Sequence, residues 1–362
     1  MNAGIYIHVP FCAQKCPYCD FYSTNYTKQT AEAYTAAVCR NLSALPQGLF
    51  ADTVYFGGGT PSLLPPAHIA QMLDTLRERI TLAEDAEITL EANPLTMTAP
   101  RLADWRQAGV NRLSVGVQSF DDSVLQTLGR RHSAEQAAQA IRRAQAAGFA
   151  NLSLDLMLGL GIQSPRTLQS DLERALALNV QHISVYLLKI EPETPFGKRP
   201  PALCSEDDSA ALWLQTDSAL TAANMTHYEI SNFARPGFES RHNLKYWQCA
   251  PYYGIGPGAH ACHDGQRTAV PRDLAAFCSA DKQPETVTDA QPLTDSERIM
   301  LGLRLQGGIR YSDYPDSAEK IRKAAKPLLT TYLTEHDGML SMTVQGWLVS
   351  NAVLAHILKD VP

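Results

Sequence analysis

Ile5-Tyr6-Ile7-His8-Val9-Pro10-Phe11-Cys12-Ala13-Gln14-Lys15-Cys16-Pro17-Tyr18-Cys19-Asp20-Phe21 is the stretch on which the fold turns. A β-branched apolar run, Ile5–Val9, reads as a strand, and a C-x3-C-x2-C cluster follows it almost at once. Thiolates at this spacing suit soft metals and iron–sulfur assemblies. A structural zinc takes four closing ligands, and position 21, where a fourth could follow, is Phe21. His8, on the strand before the cluster, is the alternative fourth ligand. Three thiolates on a four-iron cube leave one iron open to a ligand, so the spacing predicts a [4Fe–4S] cluster on Cys12, Cys16 and Cys19. A zinc knuckle, or thiols with no shared role, is the competing reading.

Outward from this stretch the chain alternates strands and helices. Candidate strands are Ile5–Val9, Thr53–Phe56, Glu87–Ala92, Arg112–Val117, Leu152–Met157 and His182–Leu187; candidate helices between them are Ala31–Leu42, Ala67–Ile80, Arg101–Ala108, Ala134–Ala147 and Thr167–Leu178. Ser133 before Ala134, Gln136 three residues on and Gly148 at the end mark one helix by its caps. Such alternation predicts right-handed βαβ units and a parallel sheet. Six units predict an α/β fold built as an open, partial (β/α)6 barrel. After about residue 195 the pattern changes: a break at Lys198-Arg199-Pro200-Pro201, a helix near Asp207–Ala223, then an aromatic, glycine-rich region over Tyr228–His263. A helix at Ser296–Leu305 opens a small C-terminal α+β module, whose Ala318–Leu333 and Met339–Val349 read as helix then hairpin, winged-helix-like. The expected division is 1–225, 226–290 and 291–362.

The 362 residues are 45% hydrophobic and 19% charged, with a formal net charge of −6. No global basic field attracts nucleic acid, so no nucleic-acid partner is expected. No apolar run approaches the roughly 20 residues of a membrane span, and the N-terminal residues lack a signal-peptide pattern. A cytoplasmic protein is expected, whose eight cysteines are not a disulfide framework.

The residues at the predicted strand ends carry the remaining chemistry, because the C-terminal rim of an α/β barrel is where ligands bind. Gly57-Gly58-Gly59-Thr60-Pro61 lets backbone approach a ligand closely; alone, it reads equally as a tight βα turn. Glu91 ends a buried strand and needs a cation or hydroxyl donors. Gln118, Arg130 and Asp155 lie on the next strand ends and an intervening loop. Arg130 is suited to a bidentate carboxylate pair, or else is a solvated arginine at a helix end. His242 is a candidate haem-iron ligand with Tyr246 and Trp247 stacked nearby, or else a core histidine at a domain junction.

Cys12-x3-Cys16-x-Tyr18-Cys19 resembles the signature of the radical S-adenosylmethionine superfamily. Gly57–Ser62, Glu91-Ala92-Asn93-Pro94, Ser114–Phe120, Leu128-Gly129-Arg130-x-His132 and Asp155-Leu156-Met157 resemble its coproporphyrinogen-dehydrogenase-like branch. The resemblance implies S-adenosylmethionine on the open iron, with Tyr6, Gly58, Gly59, Thr60, Glu91, Gln118, Arg130 and Asp155 as its contacts. Within that branch, Phe21 stands where the dehydrogenases carry a further cysteine, and only eleven residues precede Cys12. His242-Asn243-Leu244-Lys245-Tyr246-Trp247 matches the H-N-x-x-Y-W pattern of the HemW-type haem chaperones. The family's G-L-P-x-Q run has Gly161 in place of proline, which predicts a looser turn. The resemblance implies a haem-binding protein that delivers haem to haem-requiring partners and allows for a homodimer. The alternative is an oxygen-independent coproporphyrinogen III dehydrogenase, with a tRNA-modifying radical enzyme ranked last.

Overall fold

The computed structural model describes residues 2–359 and 361. Six parallel strands lie side by side in chain order: β1 (Ala3–Val9), β2 (Phe50–Gly58), β3 (Thr81–Ala92), β4 (Arg112–Gln118), β5 (Asn151–Leu158) and β6 (His182–Leu187). The crossover helices α1 (Lys28–Ser43), α2 (Pro66–Arg79), α3 (Ala99–Ala108), α4 (Asp122–Thr127), α5 (Ala134–Ala146) and α6 (Pro165–Ala177) connect them, α4 and α5 both between β4 and β5. Side chains alternate across a strand, and β1 uses both faces. Ile5, Ile7 and Val9 are fully buried in the main core, which they share with Tyr34 and Val38 of α1 and with Ile69 and Leu73 of α2. Each aliphatic side chain so buried contributes about 1.5–3 kcal/mol. Gly4, Tyr6 and His8 face the other way, into the interior of the curved sheet. The capping expectation at α5 holds: Ser133 and Gln136 form a capping box, and Gly148 follows the helix at φ +85°.

The sheet is open. β1 and β6 do not pair with each other; each is extended by strands made later in the chain. On β6 lies β8 (Asn232–Ala234), antiparallel, paired in turn with β7 (Thr226–Glu229). On β1 lies β9 (Tyr252–Ile255), parallel, followed by β10 (His260–His263), β11 (Gln266–Ala269) and β12 (Thr286–Asp289). The result is a twelve-stranded mixed sheet in which β9 and β1 to β6 form a run of seven parallel strands. Residues 226–290 therefore supply strands to both edges.

A second apolar core gathers Ile299, Leu303, Ile321, Leu340, Trp347 and Leu354. Around it stand β13 (Ile309–Arg310), β14 (Leu333–His336) and β15 (Met339–Met342), in the order β13-β15-β14. The helix expected over 318–333 stops at Ala325, a 3-10 turn following over Lys326–Leu328. Pro327, which has no N–H and crowds the preceding turn, accounts for the stop. The hairpin is Leu333–Met342, and Val344–Leu348 is helical rather than part of a strand.

Candidate functional site

The cysteine loop hangs from the C-terminal end of β1. Phe11–Cys12 pairs in parallel with Thr24–Asn25, closing the loop at its base, and the Cys19 N–H donates to the Cys16 carbonyl at 3.1 Å. All three thiols are free and half-buried. Burial first, and the neighbouring Cys16 and Cys12 after it, push the Cys19 thiol up against a backbone hydrogen bond at Phe21. Among the described residues no three Cys, His, Asp or Glu side chains converge as one metal ion requires. A zinc knuckle demands that convergence; a four-iron cube spreads its thiolates over separate irons. His8 is not a fourth ligand, since its Nε2 meets the Tyr22 carbonyl oxygen at 3.0 Å and its Nδ1 meets the Tyr6 hydroxyl at 3.2 Å. It ties the loop to the sheet instead.

Two sulfurs have a donor from outside the loop. The Thr60 hydroxyl points at Cys12 Sγ at 3.6 Å, and Arg130 Nη1 at Cys16 Sγ at 3.5 Å. Arg130 also donates to the Gly116 carbonyl. Of its two sequence readings, the solvated helix-end arginine is excluded. A cavity of about 280 Å³ lies alongside, lined by Ala13, Cys16, Thr60, Asn93 and Arg130 among others.

The glycines after β2 leave no room for side chains. Gly58 has φ +110°, and a Cβ there would lie 2.7 Å from the His8 ring; at Gly59 it would lie 2.6 Å from the Phe11 carbonyl. Glu91, at the end of β3, accepts from the Tyr55 hydroxyl at 3.0 Å and from the Gly58 N–H at 3.1 Å. Burial, then the charge of Asp155, raises its carboxyl to about 7. Asp155 accepts from the Ser114 hydroxyl at 3.4 Å and is raised by burial to about 6. Two acids that each resist ionising face one interior, which favours a cationic or hydroxyl-rich guest. Gln118 is buried in the left-handed region at φ 75°, strained for a residue with a Cβ.

Gly58, Gly59, Thr60, Glu91 and Gln118 thus sit at or just past the C-terminal ends of β2, β3 and β4, Tyr6 and Asp155 lie within β1 and β5, and Arg130 reaches the cysteine loop from the turn after α4. His242 lies deeper. Its helix α7 (Arg241–Trp247) crosses the opposite end of the interior, and its ring packs on Tyr55 with centroids 5.1 Å apart. Nδ1 meets the Thr53 hydroxyl at 2.8 Å, Nε2 meets the Tyr246 hydroxyl at 2.9 Å, and the residue is 1% exposed. Burial lowers its pKa to about 3. With both nitrogens engaged, His242 is placed as a core histidine and offers iron no lone pair. Sequence reasoning passed over Tyr55, Ser114 and Tyr186; period-two alternation from Glu91 and Asp155 along their own and neighbouring strands is the signal that finds them.

Fold and site together define a radical SAM protein, and the model of the Radical SAM superfamily matches residues 6–175. Heme chaperone HemW of Escherichia coli K12 is 45% identical over a 371-residue alignment covering 99% of this chain and 98% of that protein. Heme chaperone HemW of Bacillus subtilis is 33% identical, covering 98% and 99%. At this identity and coverage the chain belongs to the HemW family. The solved structure of coproporphyrinogen III oxidase (HemN) from Escherichia coli matches with TM-score 0.82 at 23% identity, covering 98% of this chain and 90% of that one; this likeness shows the fold. No helix among the described residues is long and apolar enough to cross a membrane.

Proposed function

We propose that this chain binds haem and hands it to haem-requiring proteins, with a [4Fe–4S] cluster on Cys12, Cys16 and Cys19 and S-adenosylmethionine at the open iron. The observation that carries the reading is the near full-length similarity to HemW proteins at up to 45% identity. The donor set fits the cofactors. Three free thiols hang on one loop without converging on a point, two of them in reach of a neutral or cationic donor. The Gly58–Gly59 cradle admits backbone contact with the amino-acid end of a ligand. Glu91 and Asp155, whose carboxyls burial pushes up, gain from a sulfonium or ribose beside them. A cluster with an open iron supplies a ligand bound there with an electron. This chain's residues hold the loop, exclude water from beneath it through Tyr6, Tyr55 and His8, and orient the ligand from the strand ends. In this reading residues 1–225 form the cofactor core, 226–290 brace it, and 291–362 are a separate module.

A side-by-side assay tests the reading on reconstituted protein. Haem binding without conversion of coproporphyrinogen III is expected; turnover of that substrate at useful rates overturns it in favour of the dehydrogenase. Cys16→Ser is expected to lose cluster iron and sulfide, and retention of both overturns the three-thiolate assignment.

A further inference from the structure

The turn that follows β4 is gripped from α6. The strand leaves its register with β5 between Val115 and Gln118, and irregularities of this kind beside a site re-aim a side chain. Asp171 of α6, 5% exposed, takes two polar groups of the turn. The Ser119 hydroxyl donates to its Oδ2 at 2.6 Å and the Phe120 N–H to its Oδ1 at 2.7 Å. Residues three apart share a helix face, and three residues on Arg174 completes the grip. Its Nη1 donates to the Phe120 carbonyl at 3.1 Å, and its guanidinium lies 5.2 Å from the centroid of the Phe120 ring. One face of α6 thus holds the turn at a hydroxyl, an N–H, a carbonyl and a ring.

The residues on either side of this turn show what the grip serves. Gln118 is buried at φ 75°, a conformation that persists in a residue with a Cβ only where its surroundings impose it. Among the described residues its amide meets no hydrogen-bond partner. A Cβ on Gly116 would lie 3.0 Å from Gln118 Nε2 and 3.1 Å from Arg130 Nη2, so the two side-chain ends come together beside Gly116. From there Arg130 reaches Cys16 Sγ at 3.5 Å. The same turn also sets Arg130. The Ser119 hydroxyl accepts from the Asp121 N–H at 3.0 Å, Asp121 caps α4 by accepting from the Ser123 N–H at 2.8 Å, and the Arg130 N–H closes that helix on the Leu125 carbonyl at 2.9 Å. We infer that Asp171 is a positioning residue for S-adenosylmethionine: by fixing Ser119 and Phe120 it aims the Gln118 amide, and through α4 the Arg130 guanidinium, at the site beside the cysteine loop. It acts through the turn and not on the ligand. The inference rests on the S-adenosylmethionine reading above and adds to it a residue from another helix.

S-adenosylmethionine binding to the full-length protein with its cluster reconstituted tests it, read by equilibrium dialysis and by the change the ligand makes in the EPR spectrum of the reduced cluster. Asp171→Asn keeps an acceptor for the Phe120 N–H but removes the one that takes the Ser119 proton. It is expected to retain wild-type iron and sulfide and to bind S-adenosylmethionine about tenfold more weakly. Ser119→Ala, which leaves the carboxylate in place, is expected to weaken binding in the same way; where Asp171→Asn fails to fold, Ser119→Ala alone decides. Leu172→Ala, buried on the same helix, is expected to lower Tm with wild-type affinity, which separates aim from stability. The loss in Asp171→Asn is expected to shrink when Gln118 is already replaced by alanine, as it does for coupled residues. Wild-type affinity in both Asp171→Asn and Ser119→Ala, with the wild type binding, overturns the positioning role alone, and so does a loss that Leu172→Ala matches at an equal fall in Tm. A wild type that carries its cluster and binds no S-adenosylmethionine overturns the reading on which the inference rests.

Discussion

Gly58 shows how much one residue carries. Its φ of +110° and the His8 ring against its Cα mean that any Cβ strains both the turn after β2 and the histidine that holds the cysteine loop. Gly58→Ala is expected to cost on the order of 2 kcal/mol, read as a fall in Tm. Gly161 runs against the expectation of a looser turn: its N–H donates to the Ala202 carbonyl at 2.8 Å and ties two loops together. Proline has no N–H to donate there. Glu91 makes a pH-dependent expectation. Its folded carboxyl titrates near 7 against an ordinary 4.5, so between those values the folded form holds a proton that the unfolded chain has released, and stability falls as pH rises. In cofactor-free protein the Tm advantage of Glu91→Gln over wild type is expected to grow from pH 4.5 to 7 and level off above; a constant gap overturns the raised pKa.

At the scale of elements, the six parallel strands were legible because buried parallel strands are short apolar, β-branched runs, and each carried one. Their ends were less so. β3 begins six residues before Glu87, because Thr81–Ala86 is polar and pairs with β2 only at Thr81 and Leu82. The strands β7 to β12 are three or four residues each, with Thr, Tyr and His prominent and little apolar alternation, and are held by pairing with neighbouring strands rather than by their own pattern. The thiol triad and the strand-end acids could be read locally, whereas the occupied nitrogens of His242 depend on Thr53 and Tyr246 meeting it in space. Asn111 illustrates a device no local pattern reveals. Its side chain accepts from Ile88 N–H at 2.8 Å and donates to the Ala86 carbonyl at 2.7 Å, standing in for strand pairing where β3 runs ahead of β4. Asn111→Leu is expected to cost about 1–3 kcal/mol and to speed hydrogen exchange at the Ile88 amide; unchanged exchange there excludes the bridging role.

At the scale of the whole molecule, the described residues form two large apolar cores and one small cluster around Leu160 and Phe196. The two large cores are tied where Ile230 N–H donates to Arg304 and Gln306 N–H to Tyr228, both at 3.0 Å. Leu340, fully buried in the smaller core, tests their independence. Leu340→Ala is expected to cost about 2–5 kcal/mol and to accelerate exchange across Ile309–Met342 well before Val54–Phe56. Equal acceleration in both places means one cooperative unit.

The pairing of β1 with β9 bears on how the protein is made. β1 leaves the ribosome well ahead of the neighbour that covers its outer edge, Tyr252–Ile255, which follows about 240 residues later. Until then the strand that bears the cysteine loop ends a sheet with unpaired N–H and C=O groups, the condition that invites edge-to-edge association. A nascent chain halted short of residue 252 carries all three thiols on a half-finished support, so the synthesis of Tyr252–Ile255, not that of the cysteines, sets when the loop stands on a completed sheet.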